Sequence, residues 1–353
     1  MRVVITGATG NVGTSLVEVL GREPEVDTIL GLVRRVPRWE PPKTTWAQAD
    51  VARDDLAGHF RDADVVVHLA WLFQPTHDPV VTWETNVLGS IRVFDAVAEA
   101  GVGALVHASS VGTYSPGPDG QPVDESWPTH ALPTAAYGRE KSYVERVLDG
   151  FEHDHPDIRV VRLRPGFIFK RETAAEQRRL FAGPLLPNRL VRPSLLPIIP
   201  DVPGLRFQAL HSLDAGQAYR LAILRPVRGA FNVAADPVLD PQTLGELLGA
   251  RPVRMPAWPL RAAVAAGWHL HLVPASPTLV DLALSLPVMD TTRARTELGW
   301  EPAHSSLEAI QEFLEGLQEG AGMDTPPLQP KAGGAARERE IATGVGRRPD
   351  VDT

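Results

Sequence analysis

Hydrophobic positions over the first 165 residues follow two alternating periods. Short β-branched runs, "RVVITGA", "TILGLVRR", "DVVVHLAW" (64–71), "ALVHASS" and "RVVRLRP", read as strands. The third is apolar without a break, as in a strand buried on both faces. Between these runs the period lengthens. "NVGTSLVEVLGRE" puts Val12, Leu16, Val19 and Leu20 on one helix face, and "TNVLGSIRVFDAVAEAG" predicts a helix closed by Gly101. A further helix is expected around "AAYGREKSYVE" (135–145). Strand and helix taking turns imply parallel strands with crossover helices, an α/β doubly wound sheet of the Rossmann type.

After Pro165 the texture changes. Pro184, Pro187, Pro193, Pro197, Pro200 and Pro203 crowd residues 183–204, too many for regular helix or central strand, so a loop-rich cap is expected. "GAFNVAAD" (229–236) returns to strand character, 242–285 read as mostly helical, and "SSLEAIQEFLEGL" is a last amphipathic helix. The division expected is a dinucleotide-binding domain over 1–166, with 205–235 and 286–318 packing back on it. Residues 167–204 and 236–285 would form a smaller, mostly helical substrate-binding lobe, and 320–353 a disordered tail of Gly, Pro and charge. No internal repeat is found.

Composition narrows the partners. The chain has 353 residues with a formal net charge of −8 and no dense basic run, which disfavours nucleic acid. It has no cysteine, so disulfides, thiolate nucleophiles and Cys-ligated metals are out, which fits a reducing compartment. "MRVVITGATG" reaches glycines after four apolar residues, too short for a signal-peptide core. No apolar run reaches membrane-spanning length. The nearest, "AWPLRAAVAAGWHLHLVPA" (257–275), holds Arg261 and two His and reads as a buried or amphipathic helix. The expectation is a soluble cytoplasmic protein with a small-molecule substrate and no nucleic-acid or membrane partner.

Chemistry begins at "TGATGNVG". Gly7, Gly10 and Gly13 sit between the first strand and first helix, where a pyrophosphate can approach the amides of a helix N-terminus. Gly7, Thr9, Gly10, Asn11, Val12 and Gly13 are the candidate contacts. A strand–helix turn without a ligand is the plain alternative. The second strand ends "GLVRR" without the acidic residue that takes ribose hydroxyls in NAD sites. Arg34 and Arg35 suit a 2′-phosphate instead, so NADP(H) is favoured over NAD(H). Tyr137 and Lys141 share a helix face at i and i+4. A nearby ammonium favours phenolate and is expected to lower the tyrosine pKa, making it a better proton donor.

"TGATGNVG", "VVVHLAW", "TNVLGS", "HASSVGTY", "YGREK", "RLRPG" and "LPVMDTTRARTELGW" occur in that order over about residues 1–318. Together they resemble the extended short-chain dehydrogenase/reductase family, also called the NAD(P)-dependent epimerase/dehydratase family. The resemblance implies a catalytic trio of Ser110, Tyr137 and Lys141, with Ser109 as the fallback hydroxyl and as a cofactor neighbour. It implies that Asp50 and Val51 meet the adenine, that Leu69 and Ala70 line the adenosine–pyrophosphate path, and that Pro165 lies beside the nicotinamide. Asn86 matches an asparagine near the active site, with helix capping or packing as the alternative. Trp71, Phe73, Phe167 and Trp258 are candidates to line an apolar substrate pocket, with core packing as the alternative for each. No metal is expected, and His68, His107, His153 and His155 read as packing or solvated residues.

Two departures bear on the reaction. Sugar dehydratases carry Asp-Glu directly after the catalytic Thr, where this chain has Val111 and Gly112. Nucleotide-sugar members place an Arg shortly before the late Leu-Pro, where this chain has "LALS" (282–285); Arg261 or Arg192 could substitute. The expected activity is hydride transfer between nicotinamide and a ketone, aldehyde or secondary alcohol, with Tyr137 handling the proton. A nucleotide-sugar epimerase holding NAD and a non-catalytic NADP(H)-sensing regulator are the alternatives. A homodimer through two helices per subunit is implied as possible, the 137–150 helix being one candidate, and Tyr143 reads as packing.

Overall fold

In the computed structural model, residues 1–118, 120–183 and 197–330 are described. The first strands and helices are β1 (Arg2–Thr6), α1 (Asn11–Gly21), β2 (Thr28–Val33), β3 (Thr44–Gln48), α2 (Ala57–Phe60) and β4 (Val65–His68). Then come α3 (Pro79–Trp83), α4 (Gly89–Glu99), β5 (Ala104–Ala108), α5 (Ala136–Asp154), β6 (Arg159–Pro165) and β7 (Phe167–Phe169). The later part contains α6 (Ala174–Gln177), β8 (Ile198–Asp201), β9 (Ala209–His211), α7 (Ser212–Leu224) and β10 (Gly229–Val233). It ends with α8 (Pro241–Leu248), β11 (Arg251–Arg254), α9 (Ala257–His269), α10 (Pro277–Ala283) and α11 (Ser306–Glu319).

Seven parallel strands form one sheet in the order β10-β6-β5-β4-β1-β2-β3. The order reverses at β1/β4, and in such sheets the crevice outside the carboxyl ends at that point holds the ligand. Val65, Val66 and Val67 of β4 are all buried, as the unbroken apolar run requires. Two apolar layers cover the sheet. One joins Leu16, Val17 and Leu20 of α1 to Ala215, Ala218 and Tyr219 of α7; the other joins Val93, Phe94 and Val97 of α4 to Val144 and Leu148 of α5.

The region 242–285 is mostly helical, as expected, with α8, α9 and α10 and one short strand, β11, paired in parallel with β8. Pro200 lies inside β8, tolerated because this two-stranded sheet leaves one edge of each strand unpaired. The rest of the proline-rich run lies largely outside the described residues. The tail does not begin at 320. Up to Pro330 the chain is packed, with Thr325 and Leu328 buried. Thr325 Oγ1 donates to Thr9 O, and Arg179 donates to the carbonyls of Pro327 and Gln329, so distant side chains and backbone satisfy a segment whose composition suggested disorder. Residues 331–353 lie outside the described residues.

Candidate active site

The phosphate loop runs from β1 into α1. Gly7 has φ +74°, and a Cβ there would sit 2.7 Å from Ala70 N and 2.9 Å from Leu69 C. A Cβ on Gly13 would sit 2.4 Å from Gly7 O. These two glycines fold the loop tightly against itself and against the end of β4. Gly10 differs: its Cβ would meet only Gly7 O, at 3.5 Å, so its other side is open. Gly10 also caps α1 without a side-chain bond, leaving the first-turn amides available. An open glycine before an uncapped helix N-terminus fits a pyrophosphate. Thr9 O is taken by Thr325 Oγ1, and Asn11 Nδ2 donates to Ile168 O. Val12 packs against the core on the α1 side of the sheet.

The neighbouring strand ends bring the other cofactor candidates to the same edge. Arg34 and Arg35 follow β2 directly and are exposed. Asp50 follows β3, where its Oδ1 accepts from Ala52 N; Val51 is buried against Gly89. Pro165 closes β6, and Gly166 N donates to Val233 O of β10.

Ser110 lies just beyond β5. Its Oγ accepts from Gly112 N at 3.0 Å and caps the short 3-10 turn Val111–Thr113. That leaves its hydroxyl proton to donate, and it partners the Tyr137 phenol. Tyr137 is in the first turn of α5. Burial drives its pKa up to about 12; the Ser110 hydrogen bond pulls the other way, and the Glu140 charge adds to the rise. The expectation of a phenol acidified by Lys141 is therefore corrected for the ligand-free protein. Lys141 Nζ donates to Ala108 O at 2.6 Å and lies 3.5 Å from the Trp71 ring centroid. Burial lowers the Lys141 pKa to about 7, opposed by the charges of Glu140 and Glu145.

The loop after β4 brings aromatic rings over Tyr137. Phe73 stacks on it at 4.8 Å and 12°, and Trp71 meets it edge-on at 6.0 Å. Phe181 adds a third ring against Phe73 at 5.6 Å, and His77 stacks on Trp268 at 4.1 Å. Neither Phe181 nor Trp268 stood out in the sequence, because each reaches the loop across more than 100 residues of chain with no local period to mark it.

Other candidates lie elsewhere. Asn86 is fully buried: its amide bridges Leu72 N and O and donates to Glu140 Oε2. It shapes the loop that carries Trp71 and Phe73. Ser109 donates to Glu145 Oε1 behind the site, where Glu145 also pairs with Arg164 at 2.6 Å. Phe167 packs on Phe207. Trp258 is 70% exposed on α9. Arg261, a candidate diphosphate ligand, is bound to Asp281 at 2.9 Å; Arg192 lies outside the described residues.

His68 bonds Thr6 and Ser90, while both ring nitrogens of buried His107 have no partner. Long-range packing also gathers His211, His304 and Glu312, with possible ligand atoms within 4.8 Å of one another. His211 Nδ1 accepts from Leu213 N, so the neutral ring carries its proton on Nε2, facing Glu312. That tautomer makes the contact a hydrogen-bonded pair, and it disfavours a metal ligand.

Residues 3–182 match the model of the NAD dependent epimerase/dehydratase family. The chain belongs to that family. An uncharacterised protein of Mycobacterium tuberculosis (strain ATCC 25618 / H37Rv) is 26% identical over 332 residues, 89% of this chain and 83% of the relative. The decarboxylating sterol-4-alpha-carboxylate 3-dehydrogenase of Saccharomyces cerevisiae is 30% identical over 180 residues, 47% of this chain and 51% of that protein. Among solved structures, the Thermus thermophilus UDP-glucose 4-epimerase complex with NAD matches with a TM-score of 0.66 and 22% identity, covering 90% of this chain and 99% of that one. The family is one of nicotinamide-dependent enzymes, and its fold accounts for the glycine loop at the carboxyl edge of β1.

Proposed function

We propose that this protein is an NADP(H)-dependent oxidoreductase acting on a ketone, aldehyde or secondary alcohol of modest polarity. The observation that carries the reading is the packing of Gly112 against Tyr137. A Cβ at 112 would lie 2.9 Å from Tyr137 Cε1, so the place where sugar dehydratases carry a second acid has no room for a side chain. Around the phenol stand Trp71 and Phe73. An apolar wall suits a substrate that brings a single polar oxygen.

Bound nicotinamide supplies or accepts the hydride. Within the chain, Ser110 Oγ accepts from Gly112, and its hydroxyl proton, directed at the Tyr137 phenol without substrate, would turn to the substrate oxygen. Tyr137, protonated at neutral pH, gives its proton to that oxygen as negative charge grows there, and takes it back in the reverse direction. Lys141, beside Trp71 and donating to Ala108 O, would bond the ribose with a remaining donor. Arg34 and Arg35 favour a 2′-phosphate by charge and forked geometry. Exposed Val80 and Trp83 of α3, Leu88 before α4 and Tyr143 of α5 support dimerisation through this side; Tyr143 is 47% exposed and meets Trp83 in a tilted contact at 5.0 Å, so it is not core packing.

The second reading is a nucleotide-sugar epimerase. The likeness to the Thermus enzyme over 90% of the chain favours it, and the commitment of Arg261 to Asp281 weighs against it. A panel of ketones, aldehydes, secondary alcohols and UDP-sugars with NADPH, NADP, NADH and NAD separates them. Net oxidation or reduction of cofactor is expected with a simple carbonyl or alcohol. Turnover confined to UDP-sugar with no net change of cofactor would refute the proposal.

A further inference from the structure

Helix α9 has none of its residues buried, although its sequence, "AWPLRAAVAAGWH", holds one charged side chain, Arg261. Trp258, Ala262, Ala266 and Leu270 recur at i, i+4, i+8 and i+12, and all four are exposed. Trp258 is 70% and Leu270 68% exposed, and Leu272 just beyond is 42% exposed. Leu260, Val264 and Trp268 are half-buried on the inner side, so the helix is apolar on both sides and its outward stripe lacks the polar cover of an ordinary surface helix. Its inner side is tied down, since Trp268 Nε1 donates to Thr76 Oγ1 at 2.8 Å and Arg261 is paired with Asp281.

Charge indicates what covers this stripe. In a chain with 43 acidic against 35 basic residues, residues 247–280 contain no Asp or Glu. They contain Arg251, Arg254, Arg261, His269 and His271. Arg251 and Arg254 are exposed on β11, which leads through Pro256 directly into α9, and His269 and His271 are exposed at its far end. Asp281 neutralises Arg261 and Asp201 lies in register with Arg254, but an exposed apolar face with a tryptophan, approached by the exposed arginines of β11, fits a helix lying in the interface of an anionic bilayer.

We infer that the outer face of α9, with Trp258, Leu270 and Leu272 as its anchors, docks on an anionic lipid surface. The helix lies on the surface and does not cross it: no helix among the described residues is long and apolar enough to span a membrane. The inference departs from the expectation of no membrane partner, and it is independent of which substrate the active site takes. The docked helix also reaches the catalytic cleft, because Trp268 is stacked on His77 in the loop whose Phe73 covers Tyr137.

Flotation of the full chain with vesicles tests this. With phosphatidylcholine vesicles containing phosphatidylglycerol at low ionic strength, the protein should float with the lipid, and added salt should release it. Leu270→Glu with Leu272→Glu should cut the bound fraction roughly tenfold, with Tm and NADPH binding unchanged. If the double variant does not fold, Trp258→Ala, at an exposed position, should show the same direction of loss. No flotation of the folded protein would overturn the inference, as would equal flotation with phosphatidylcholine alone or with the folded variants. A wild-type dimer that the variants convert to monomer would also overturn it, assigning the face to a second copy of the chain.

Discussion

Gly112 and Tyr137 share one space: the Cβ that Gly112 lacks would lie 2.9 Å from Cε1 of the phenol ring. The turn that Ser110 caps is therefore shaped around the tyrosine, and the two sides of the site are fitted through a hydrogen atom. Gly112→Ala should push the ring aside and lower kcat by roughly 10²-fold, as expected for a displacement of about an ångström in a catalytic group. NADPH affinity should be kept. Steady-state kinetics with a fluorescence titration of cofactor check both; unchanged kcat would show that the ring does not need its present place.

Tyr137→Phe keeps the stack on Phe73 and removes the proton. Turnover should fall by roughly 10²–10⁴-fold with cofactor binding retained. Ser110→Ala should have the same direction, since it removes both the cap on Gly112 N and the hydroxyl donor. Retained turnover in the phenylalanine variant would take Tyr137 out of the mechanism.

The proposed preference for NADP(H) rests on two exposed arginines after β2. Arg34→Ala with Arg35→Ala should weaken NADPH by roughly tenfold or more, the scale of a lost charged hydrogen bond, and leave NADH nearly unchanged. Calorimetric titration with both cofactors decides it. Equal losses for the two would reject the 2′-phosphate assignment.

Acid should destabilise the ligand-free protein through two buried histidines. Burial, then the Lys141 charge, lowers the His68 pKa from 6.5 to about 3, and the same causes lead the lowering of His107. Folding depresses proton affinity here, so the unfolded chain binds more protons as pH falls. The stabilisation is complete above pH 6.5 and is withdrawn below it, down to about 3 for His68. By pH 5, His68 alone accounts for roughly 2 kcal/mol. His107→Leu should flatten part of this acid limb at little cost near neutrality, because neither ring nitrogen has a partner to lose. Denaturant melts across pH check it; an unchanged slope would exclude His107 as a contributor.

Glu145 is fully buried and carries Arg164, Ser109 and a longer contact to Arg162 at 3.8 Å. Glu145→Ala strands the buried Arg164 guanidinium, while Arg162 keeps Asp149 and Glu152, and should cost about 3–5 kcal/mol. Adding Arg164→Met should recover a share of that in urea unfolding. A loss below about 1 kcal/mol would mean that water reaches the pair.

Much of this protein was legible from spacing alone. The sheet of parallel strands follows from the change of period between "DVVVHLAW" and the helices around it, because burial on two faces dictates an unbroken apolar run. Gly7 and Gly13 are read from their place between strand and helix, since only glycine fits a backbone folded that closely. Tyr137 and Lys141 share a face by helical geometry. These are short-range constraints, written within a few residues of one another.

Tertiary structure decided the rest. Whether Lys141 acts on Tyr137 depends on what else its ammonium meets, and Ala108 O and Trp71 are brought to it by other strands and loops. Asn86 became a brace because Leu72 and Glu140 reach it from separate elements, and residues 321–330 are held because Arg179 supplies donors from a distant helix. For α9 the sequence suggested a buried or amphipathic helix, but none of its residues is buried. Hydrogen-bond partners, desolvation and exposure depend on which distant segments meet. A single pass along the chain contains the periods but not those meetings.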